Sequence, residues 1–454
     1  MVLKAVKYGG MVLQFANPAL QNDKEVVREA VSRICDPFQY ASWKLRDDKD
    51  FVCELLDMEP LLLQFASWQL RKDKKVVLTA VRKNGMSMSF ASDSLRADKE
   101  VVFAALANNS NALQHAHWDL KEDKEVVLAA VKKTCDAFQY ASWNLREDKQ
   151  FVLELLSVEP AALEFASWDL RKDKDVVLAA VNKEGMSLRF ASDCMREDKE
   201  VVLAALADNP RALQHAHWDL KKDKEVVLRA VEKDGMTLRF APDCMQQDMG
   251  VVLCALKKDG MSLQYAWDSM RQNKEVVLAA VASAPEALQY ASFGLKADKD
   301  VVHCAVEKDG MSLKFASCSV RDDKEVVLRA VKQNGMSLQF TPVCMRSDKD
   351  VVLAAVKNNG KALQFSATHL SMDKQVALAA VQNTRMALTH VSSSLLKDKD
   401  IMAAVEQPTP TSNEPERTHY VLLHAPLKRA ASGYDDEDAG VRAKKRSCDA
   451  LGGE

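Results

Sequence analysis

The chain of 454 residues is poor in aromatic residues (6 %), contains only ten cysteines, and has no long uncharged apolar run. Its longest stretch without Asp, Glu, Lys or Arg, residues 101–118, contains three asparagines and two histidines, which excludes a membrane span. The cysteines form no C-x-x-C pair, which argues against a zinc module and a disulfide framework. No secretory signal precedes the first units. We therefore expect an intracellular protein, cytoplasmic or nuclear, without membrane contact.

What the chain does contain is a repeat. The dipeptide Asp-Lys, or a close variant, recurs every 25 residues from Asp23 to Asp398, sixteen times without insertion or deletion. The exceptions are Asp248-Met249 and Asn273-Lys274. The sequence also has a longer period of 100 residues, because the segment that begins at Cys35 recurs from Cys135 with few changes. Duplication of a four-unit block is the simplest account of this second period.

Each unit reads as a helix followed by a second, shorter segment. Counting the aspartate as phase 1, phases 4, 5, 8 and 9 are apolar, which predicts an amphipathic helix that the aspartate caps. Gly or Pro at phase 13 ends this helix in twelve of the sixteen units, either by tolerating a left-handed conformation or by preventing continuation. Apolar residues at phases 14, 16, 18, 19 and 23 favour a second short helix over a strand.

Helices of about ten residues are too short to be stable alone, so each unit must pack on its neighbours. We therefore predict an all-α protein, an α-solenoid (superhelix) of about sixteen two-helix repeats. The repeat array covers residues 1–406, with a partial unit at 1–22, full units over 23–397 and a terminal half unit at 398–406. A disordered tail over 407–454, rich in Pro, Ser, Thr and charge, follows it.

The unit D-K-x-V-V-L-x-A-V-x-x-x-G-x-x-L-x-F-A-x-x-x-L-R resembles a tandem helical repeat family catalogued as domain of unknown function 4116. The resemblance covers residues 1–406 and implies a helical array without an established activity. It brings no catalytic or ligand-binding residue to this chain. The sequence departs from the pattern at phase 13, where other residues replace Gly or Pro: Cys35, Ser110, Cys135 and Arg385.

Six of the seven tryptophans share phase 21: Trp43, Trp68, Trp118, Trp143, Trp168 and Trp218. An aromatic row of this kind could hold a peptide or stack bases. Alternatively, each indole packs between neighbouring units at the end of the second helix, which is the interpretation that we prefer. Variation at this phase elsewhere, from Asp93 to Phe293, is typical of an accessible position and keeps the first interpretation open.

Histidines and cysteines are predicted to be structural. His115 and His117 recur as His215 and His217, but residues two apart on a helix point in different directions, so we expect no metal site. Equivalent cysteines in adjacent units are expected about 8–10 Å apart, beyond disulfide reach, and are predicted to be free thiols.

The basic residues of phase 24, such as Arg46 and Arg71, are expected to pair with the acidic starts of neighbouring helices. An acidic partner is the alternative. Residues before Glu406 carry equal numbers of basic and acidic side chains, which disfavours nucleic-acid binding across the whole array. A basic stripe along one face would favour it again.

The tail carries two short motifs. Two basic clusters, separated by twelve residues, resemble a bipartite nuclear-import signal: Lys428 and Arg429, then Arg442, Lys444, Lys445 and Arg446. Ser432 follows the first cluster in a context that resembles a kinase site. An ordinary mixed-charge tail is the alternative, since four acidic residues lie between the clusters.

The sequence contains no nucleophile elbow, P-loop or H-E-x-x-H motif, and sixteen similar units are poorly suited to building one asymmetric catalytic site. We therefore predict a non-enzymatic, monomeric protein–protein interaction scaffold without cofactor or metal, which binds a protein or peptide of unknown identity. A modular single-stranded nucleic-acid binder is the alternative.

Overall fold

A computed structural model of the protein describes residues 6, 9–32 and 35–406. This part of the chain is helical, and no strand occurs among the described residues. The helices lie in the first of two compact units of the chain, Met1–Thr409. The second, Pro410–Glu454, lies outside the described residues together with the predicted tail.

The first helix of each 25-residue unit, called here the A helix, begins directly after the phase 1 residue. Asp173 shows why: its carboxylate accepts hydrogen bonds from the backbone N–H groups of Asp175 (3.0 Å) and Val176 (3.2 Å), two donors that the helix itself leaves unpaired. The predicted cap is confirmed. The A helices are Lys24–Val31, Lys49–Met58, Lys74–Lys83, Lys99–Asn108, Lys124–Val131, Lys149–Leu156, Lys174–Val181, Lys199–Asp208, Lys224–Val231, Met249–Lys258, Lys274–Ser283, Lys299–Lys308, Lys324–Gln333, Lys349–Asn358, Lys374–Asn383 and Lys399–Glu406.

The apolar stripe of the A helix forms the core. Phases 4, 5, 8 and 9 are buried in every unit from Asp48 to Asp373, and phase 16 of the second segment is buried in every unit from Asp48 to Asp348. Each buried Val or Leu side chain contributes about 1.5–3 kcal/mol relative to exposure. Because each A helix packs on the A helices before and after it, the array has the nearest-neighbour architecture of a solenoid. The predicted fold class is confirmed.

The second segment differs from the expected single helix, because it is divided in two. A 3₁₀ helix, the B helix, covers phases 13–18, and a short turn of helix, the C helix, begins at phase 21 in most units. The B helices are Gly10–Phe15, Asp36–Tyr40, Pro60–Phe65, Gly85–Phe90, Ser110–His115, Cys135–Tyr140, Pro160–Phe165, Gly185–Phe190, Pro210–His215, Gly235–Phe240, Gly260–Tyr265, Pro285–Tyr290, Gly310–Phe315, Gly335–Phe340, Gly360–Phe365 and Arg385–His390. The C helices are Pro18–Gln21, Trp43–Arg46, Leu70–Lys72 (3₁₀), Asp93–Arg96, Trp118–Lys121, Trp143–Glu147, Leu170–Lys172 (3₁₀), Asp193–Arg196, Trp218–Lys221, Asp243–Gln246, Asp268–Arg271, Phe293–Lys296, Cys318–Arg321, Val343–Arg346 and Thr368–Ser371.

A hydrogen bond to the preceding unit accompanies this division. Phases 19 and 20 are extended, and the backbone N–H of phase 20 donates to the phase 24 carbonyl oxygen one unit earlier, as from Ser192 to Arg171 (3.0 Å). A continuous helix could not offer that N–H to a neighbour, because it would be used within the helix. Pro242 and Pro342 occupy phase 20 in two units and have no N–H to donate.

A second connection between units explains the lysine of the Asp-Lys dipeptide. The phase 2 lysine pairs with the phase 1 aspartate of the following unit, as in Lys74 Nζ to Asp98 Oδ2 (2.7 Å). The hydrogen bond from Lys74 holds the pKa of Asp98 below its ordinary value. Where Met249 replaces the lysine, Asn273 replaces the aspartate one unit later, so both charges are absent together. Asn273 still caps its own helix.

The glycines of phase 13 allow a close approach between units and do not use left-handed backbone. A Cβ atom added to Gly185 would lie 2.2 Å from the carbonyl oxygen of Ala205 in the next unit. None of the glycines in the described residues has a φ between +20° and +160°, so the left-handed helix end expected from the sequence is wrong. The residue at phase 13 instead begins the B helix, where Pro is also well suited.

Phase 13 is matched to phase 11 of the following unit. In most Gly units the backbone N–H of phase 13 donates to a side chain there, as from Gly85 to Asn108 Oδ1 (2.9 Å). Gly235 is an exception, because the residue at phase 11 of the following unit is Lys258. Proline offers no N–H, and each of the four Pro units is followed by a lysine at phase 11. Lys183, which follows Pro160, donates to the backbone oxygen of Ser157 (3.0 Å). Phase 13 of one unit and phase 11 of the next are therefore matched in hydrogen bonding in most pairs of neighbouring units.

None of the helices among the described residues combines the length and the apolar character needed to cross a bilayer.

Candidate binding face

The six phase 21 tryptophans lie on the surface. Their side chains are between 53 % (Trp68) and 68 % (Trp43) exposed. Phase 21 begins the C helix, and the apolar residue that this helix turns toward the core is at phase 23, such as Leu145. The preferred expectation that the indoles pack between units is therefore wrong. We call the surface formed by phases 18, 21, 24 and 25 the binding face.

Lysines of phase 25 lie over several of the indole rings. Lys72 Nζ is 3.3 Å from the ring centroid of Trp68, and Lys222 Nζ is 3.2 Å from that of Trp218. A cation over an indole face is attracted by the ring quadrupole, which orders both side chains. The sequence analysis missed these lysines, although Lys72 and Lys172 recur with the 100-residue period beside their tryptophans.

The phase 24 cations lie beside the aromatic residues of phase 18. Arg146 Nε donates to the carbonyl oxygen of Phe165 in the next unit (2.6 Å), and Lys121 Nζ donates to the carbonyl oxygen of Gln114 in its own unit (2.6 Å). These cations therefore satisfy carbonyl groups near the ends of the B helices, which favour positive charge. The expected pairing of phase 24 with neighbouring helix starts is wrong, because phase 2 lysines occupy those carboxylates.

Cations of successive units are close enough to affect one another. Burial lowers the pKa of Arg146, and the charge of Arg171 in the next unit lowers it further. Burial and the charge of Arg96 lower the pKa of Lys121 in the same way. The binding face thus carries a row of like charges, which favours an anionic group on any ligand that covers it.

Carboxylates interrupt this row, at phase 25 in some tryptophan units, as at Glu122 and Glu147, and at phase 21 in units without tryptophan. Asp193 occupies phase 21 and pairs with Arg196 of the same C helix (2.5 Å), and Asp93 pairs with Arg96 in the same way. These pairs neutralise one cation each. The charge of the binding face is therefore positive at some units and balanced at others.

An open cleft of about 420 Å³ lies on the binding face between two units. Trp68, Arg71 and Lys72 line it from one unit, and Phe90 and Asp93 line it from the next. The Nε atom of Arg71 is buried without a hydrogen-bond partner. The cleft thus combines flat aromatic surface with two cations, an arrangement suited to a side chain that carries a carboxylate beside apolar groups.

Four histidines make local contacts within the array. His115 and His215 replace the phase 18 aromatic residue and are half-buried, and burial lowers the pKa of both. His117 and His217 precede the C helices and accept a backbone hydrogen bond through Nδ1. No group of three or more residues suited to holding a metal ion occurs in the part of the chain that the structure describes.

Nine cysteines fall in the described part of the chain, and all are free thiols. Burial raises the pKa of Cys135 to about 11, and the neighbouring Asp136 adds to the shift, so this thiol is unreactive at neutral pH. Cys194 and Cys244 are exposed. The import-like clusters and Ser432 lie outside the described residues, so their predicted roles stay predictions.

Comparison with curated proteins and with solved structures gives no match. A family model described as "Domain of unknown function (DUF4116)" matches ten times. The matches are residues 1–46, 48–96, 73–121, 123–171, 173–221, 198–246, 223–258, 248–296, 298–346 and 323–371. Together these matches cover most of the chain, and most of them begin a multiple of 25 residues apart, in step with the repeat. The protein therefore belongs to the DUF4116 repeat family.

Proposed function

We propose that the protein is a non-catalytic interaction scaffold that holds an extended protein segment along its binding face. One observation carries the proposal: six tryptophans at one phase are more than half exposed, and they follow one another along the array. Tryptophan is the residue most enriched at the energetic centres of protein interfaces. Large apolar side chains concentrated on one face mark an interaction surface.

The periodicity of the binding face fits an extended chain. Helical units pack about 8–10 Å apart, whereas an extended peptide advances about 3.3–3.6 Å per residue. Roughly three peptide residues would therefore span each unit. Side chains of the peptide could then contact the tryptophan or the cation of successive units. Main-chain and side-chain contacts would accumulate with peptide length.

The absence of catalysis is part of this proposal. The polar groups of the binding face recur from unit to unit, and some of the phase 24 cations, such as Arg146 and Lys121, satisfy backbone carbonyls. Recurring groups of one charge sign support extended binding better than they support acid–base or nucleophilic chemistry, which needs different groups at one place.

The test uses random peptides of about 12 residues, long enough for four units, displayed on phage and panned against the full chain. We expect enriched peptides whose affinity falls at least about tenfold in the variant W118A/W143A, whose melting temperature stays near that of the wild type. The variant F293A is the control, because Phe293 is 81 % exposed at the same phase outside the tryptophan units. An equal loss in F293A, or no enrichment, contradicts the proposal.

A single-stranded nucleic-acid ligand is the second candidate. The row of phase 24 cations favours it, and so do phase 17 cations that lie over phase 18 rings, such as Arg189 over Phe190. Exposed carboxylates on the same face, such as Asp93 and Asp193, oppose it. Binding of an oligothymidylate with affinity that falls steeply with salt would support this candidate. Peptide binding that is insensitive to salt supports the scaffold.

We also propose that the basic clusters of the tail, Lys428–Arg429 and Arg442–Arg446, direct the scaffold to the nucleus. A fluorescent fusion of residues 407–454 should then accumulate in nuclei, and a fusion in which these basic residues are alanine should not. An even distribution of the first fusion contradicts this part of the proposal.

A further inference from the structure

The binding face contains two stretches that are copies of each other. In the first block, residues 23–122, phase 21 reads Trp43, Trp68, Asp93 and Trp118. In the second block, residues 123–222, it reads Trp143, Trp168, Asp193 and Trp218. The order Trp, Trp, Asp, Trp therefore occurs twice, with corresponding residues 100 positions apart.

Several side-chain contacts are repeated in both blocks. Lysine lies over the second tryptophan in both, Lys72 over Trp68 and Lys172 over Trp168. In the fourth unit of each block, the phase 24 lysine donates to the carbonyl oxygen of a phase 17 glutamine. These bonds are Lys121 to Gln114 (2.6 Å) and Lys221 to Gln214 (2.7 Å).

The third unit of each block carries the same internal ion pair, Asp93 with Arg96 and Asp193 with Arg196. The C helix of this unit therefore presents balanced charge, whereas the unit before it presents Trp, Arg and Lys together. The second and third units thus repeat these contacts in both blocks. Phase 25 differs in the third and fourth units, where Ala97 and Glu122 of the first block correspond to Glu197 and Lys222 of the second.

The copies end after the second block. In the next four units phase 21 holds Asp243, Asp268, Phe293 and Cys318, and phase 24 of the first of these units is Gln246, without charge. Pro242 also removes the backbone hydrogen bond that phase 20 makes in the blocks. Within the described residues the pattern thus occurs twice, which sets a definite number of equivalent sites.

We propose that the two blocks are two equivalent sites for one kind of ligand, an extended peptide segment with an acidic side chain among apolar ones. This inference rests on the proposed function. The acidic side chain is placed at the second unit of each block, where Arg71 and Lys72, or Arg171 and Lys172, flank an indole and a phenylalanine. Charge complementarity selects it there, and the internal Asp–Arg pair disfavours a second acid at the following unit.

A polynucleotide fits this arrangement less well. It carries a phosphate at every nucleotide, so it would bring negative charge close to Asp93 and to the exposed Asp119 of the fourth unit. The same repulsion would occur at Asp193 and Asp219 in the second block. A peptide can place its charge at one unit and leave the others neutral. The alternation of positive and balanced units therefore favours a peptide.

Two equivalent sites on one chain would favour partners that carry the motif twice. Corresponding positions are four units apart, roughly 30–40 Å along the array. A linker of about ten or more residues between two copies of the motif would cover that distance. Binding of the second copy would then be intramolecular, and the affinity would rise without any new kind of contact.

The experiment titrates the full chain with a peptide enriched by the panning described above and measures stoichiometry by calorimetry. The first-block variant is W68A/K72E, the second-block variant is W168A/K172E, and F293A is the control. We expect two peptides per chain for the wild type and for F293A, one for each block variant with an unchanged Kd, and none for the combined variant. A tandem peptide should bind the wild type at least about 100-fold more tightly than the single peptide, and either block variant no more tightly than the single peptide.

One peptide per wild-type chain, or loss of all binding in one block variant alone, would overturn the two-site inference while leaving the scaffold function intact. Failure of panning to enrich any peptide would overturn the proposed function itself. Enrichment of peptides without acidic residues would overturn the assigned ligand chemistry. An oligothymidylate that fills both blocks and competes with the peptide would do the same.

Discussion

The units up to Trp218 and the units from Asp223 onward share one core and differ in their binding face. Val177 and Val327 occupy the same phase in the two regions, and both are fully buried. At phase 21 the first region holds mainly tryptophan, whereas the second holds Asp, Phe, Cys, Val and Thr. Buried phases must satisfy packing on both neighbours, so they cannot vary independently. Phase 21 contacts mainly solvent, so packing does not explain its concentration of tryptophan in one region, which is the feature on which the proposed scaffold function rests.

Connections between units also differ between the two regions. The charge ladder of phases 1 and 2 is continuous from Lys24 to Asp248 and is interrupted at Met249. Pro242 and Pro342 remove backbone bonds in the second region. The second region therefore depends more on its core and less on polar connections, which the following predictions examine.

Truncating the phase 16 leucine should have the largest effect and should be equal in both regions. Leu163→Ala and Leu338→Ala each remove a fully buried side chain and should lower the free energy of unfolding by about 2–5 kcal/mol. Urea unfolding followed by circular dichroism measures the change. Trp168→Ala is the control, expected within about 0.5 kcal/mol of the wild type. A smaller loss in the second region would show that its core is less tightly packed and relaxes into the cavity.

Adding a methyl group at phase 13 should destabilise both regions by about 1–3 kcal/mol, because it forces a clash with a backbone carbonyl. The variants are Gly185→Ala and Gly310→Ala, where the added Cβ would lie 2.2 and 2.3 Å from the nearest backbone oxygen. Gly294→Ala, at which no atom lies within 4 Å, should instead be stabilising. Melting temperatures of the three variants give the comparison, and equal behaviour of all three would refute the close-approach explanation.

Replacing Asp98 separates its two roles. Asp98→Ala removes the cap and the ion pair, whereas Asp98→Asn keeps a cap of the kind that Asn273 provides. The alanine variant should therefore be less stable by about 0.5–2 kcal/mol than the asparagine variant. Unfolding by urea at pH 7 measures this difference, and equal stability of the two variants would exclude the cap.

The ion pair of Asp98 predicts a pH dependence. Its pKa is lowered in the folded chain, so the stabilisation is complete above the unfolded pKa and is lost as the pH falls through the folded value. The advantage of wild type over Asp98→Asn should therefore persist on acidification to the ordinary carboxyl pKa of 3.8 and decline as the pH falls further. An advantage that persists at low pH would mean that Lys74 is not its source.

The smallest effect is expected from restoring the interrupted ladder of the second region. The double variant M249K/N273D should be more stable than the sum of the two single variants predicts, because only the pair recreates the ion pair between units. Surface ion pairs are weak, so the coupling is best read at low ionic strength and should diminish with added salt. Strict additivity would show that the ladder is dispensable at this junction.

Much of this fold could be predicted from the sequence, since the period, the cap at Asp173 and the buried phases follow from local rules. The divided second segment could not, because the backbone bond from Ser192 to Arg171 depends on a neighbouring unit. The sequence left the exposure of the tryptophans open, although the variation at phase 21 is typical of an accessible position. The partner of each phase 2 lysine can be inferred from the sequence. Met249 replaces this lysine in one unit and Asn273 replaces the phase 1 aspartate in the next, so the two charges are absent together.

The pairwise match of phases 13 and 11 has a consequence for how the chain can change in length. Deleting residues 173–197 would set Pro160 against Asp208, an acceptor with no N–H opposite it, whereas deleting residues 123–222 would set Ser110 against Lys233 and so reproduce its present pairing with a lysine. Deleting a single unit can therefore break this match, whereas deleting the four-unit block keeps it. Melting curves of the two deletion proteins would test this difference.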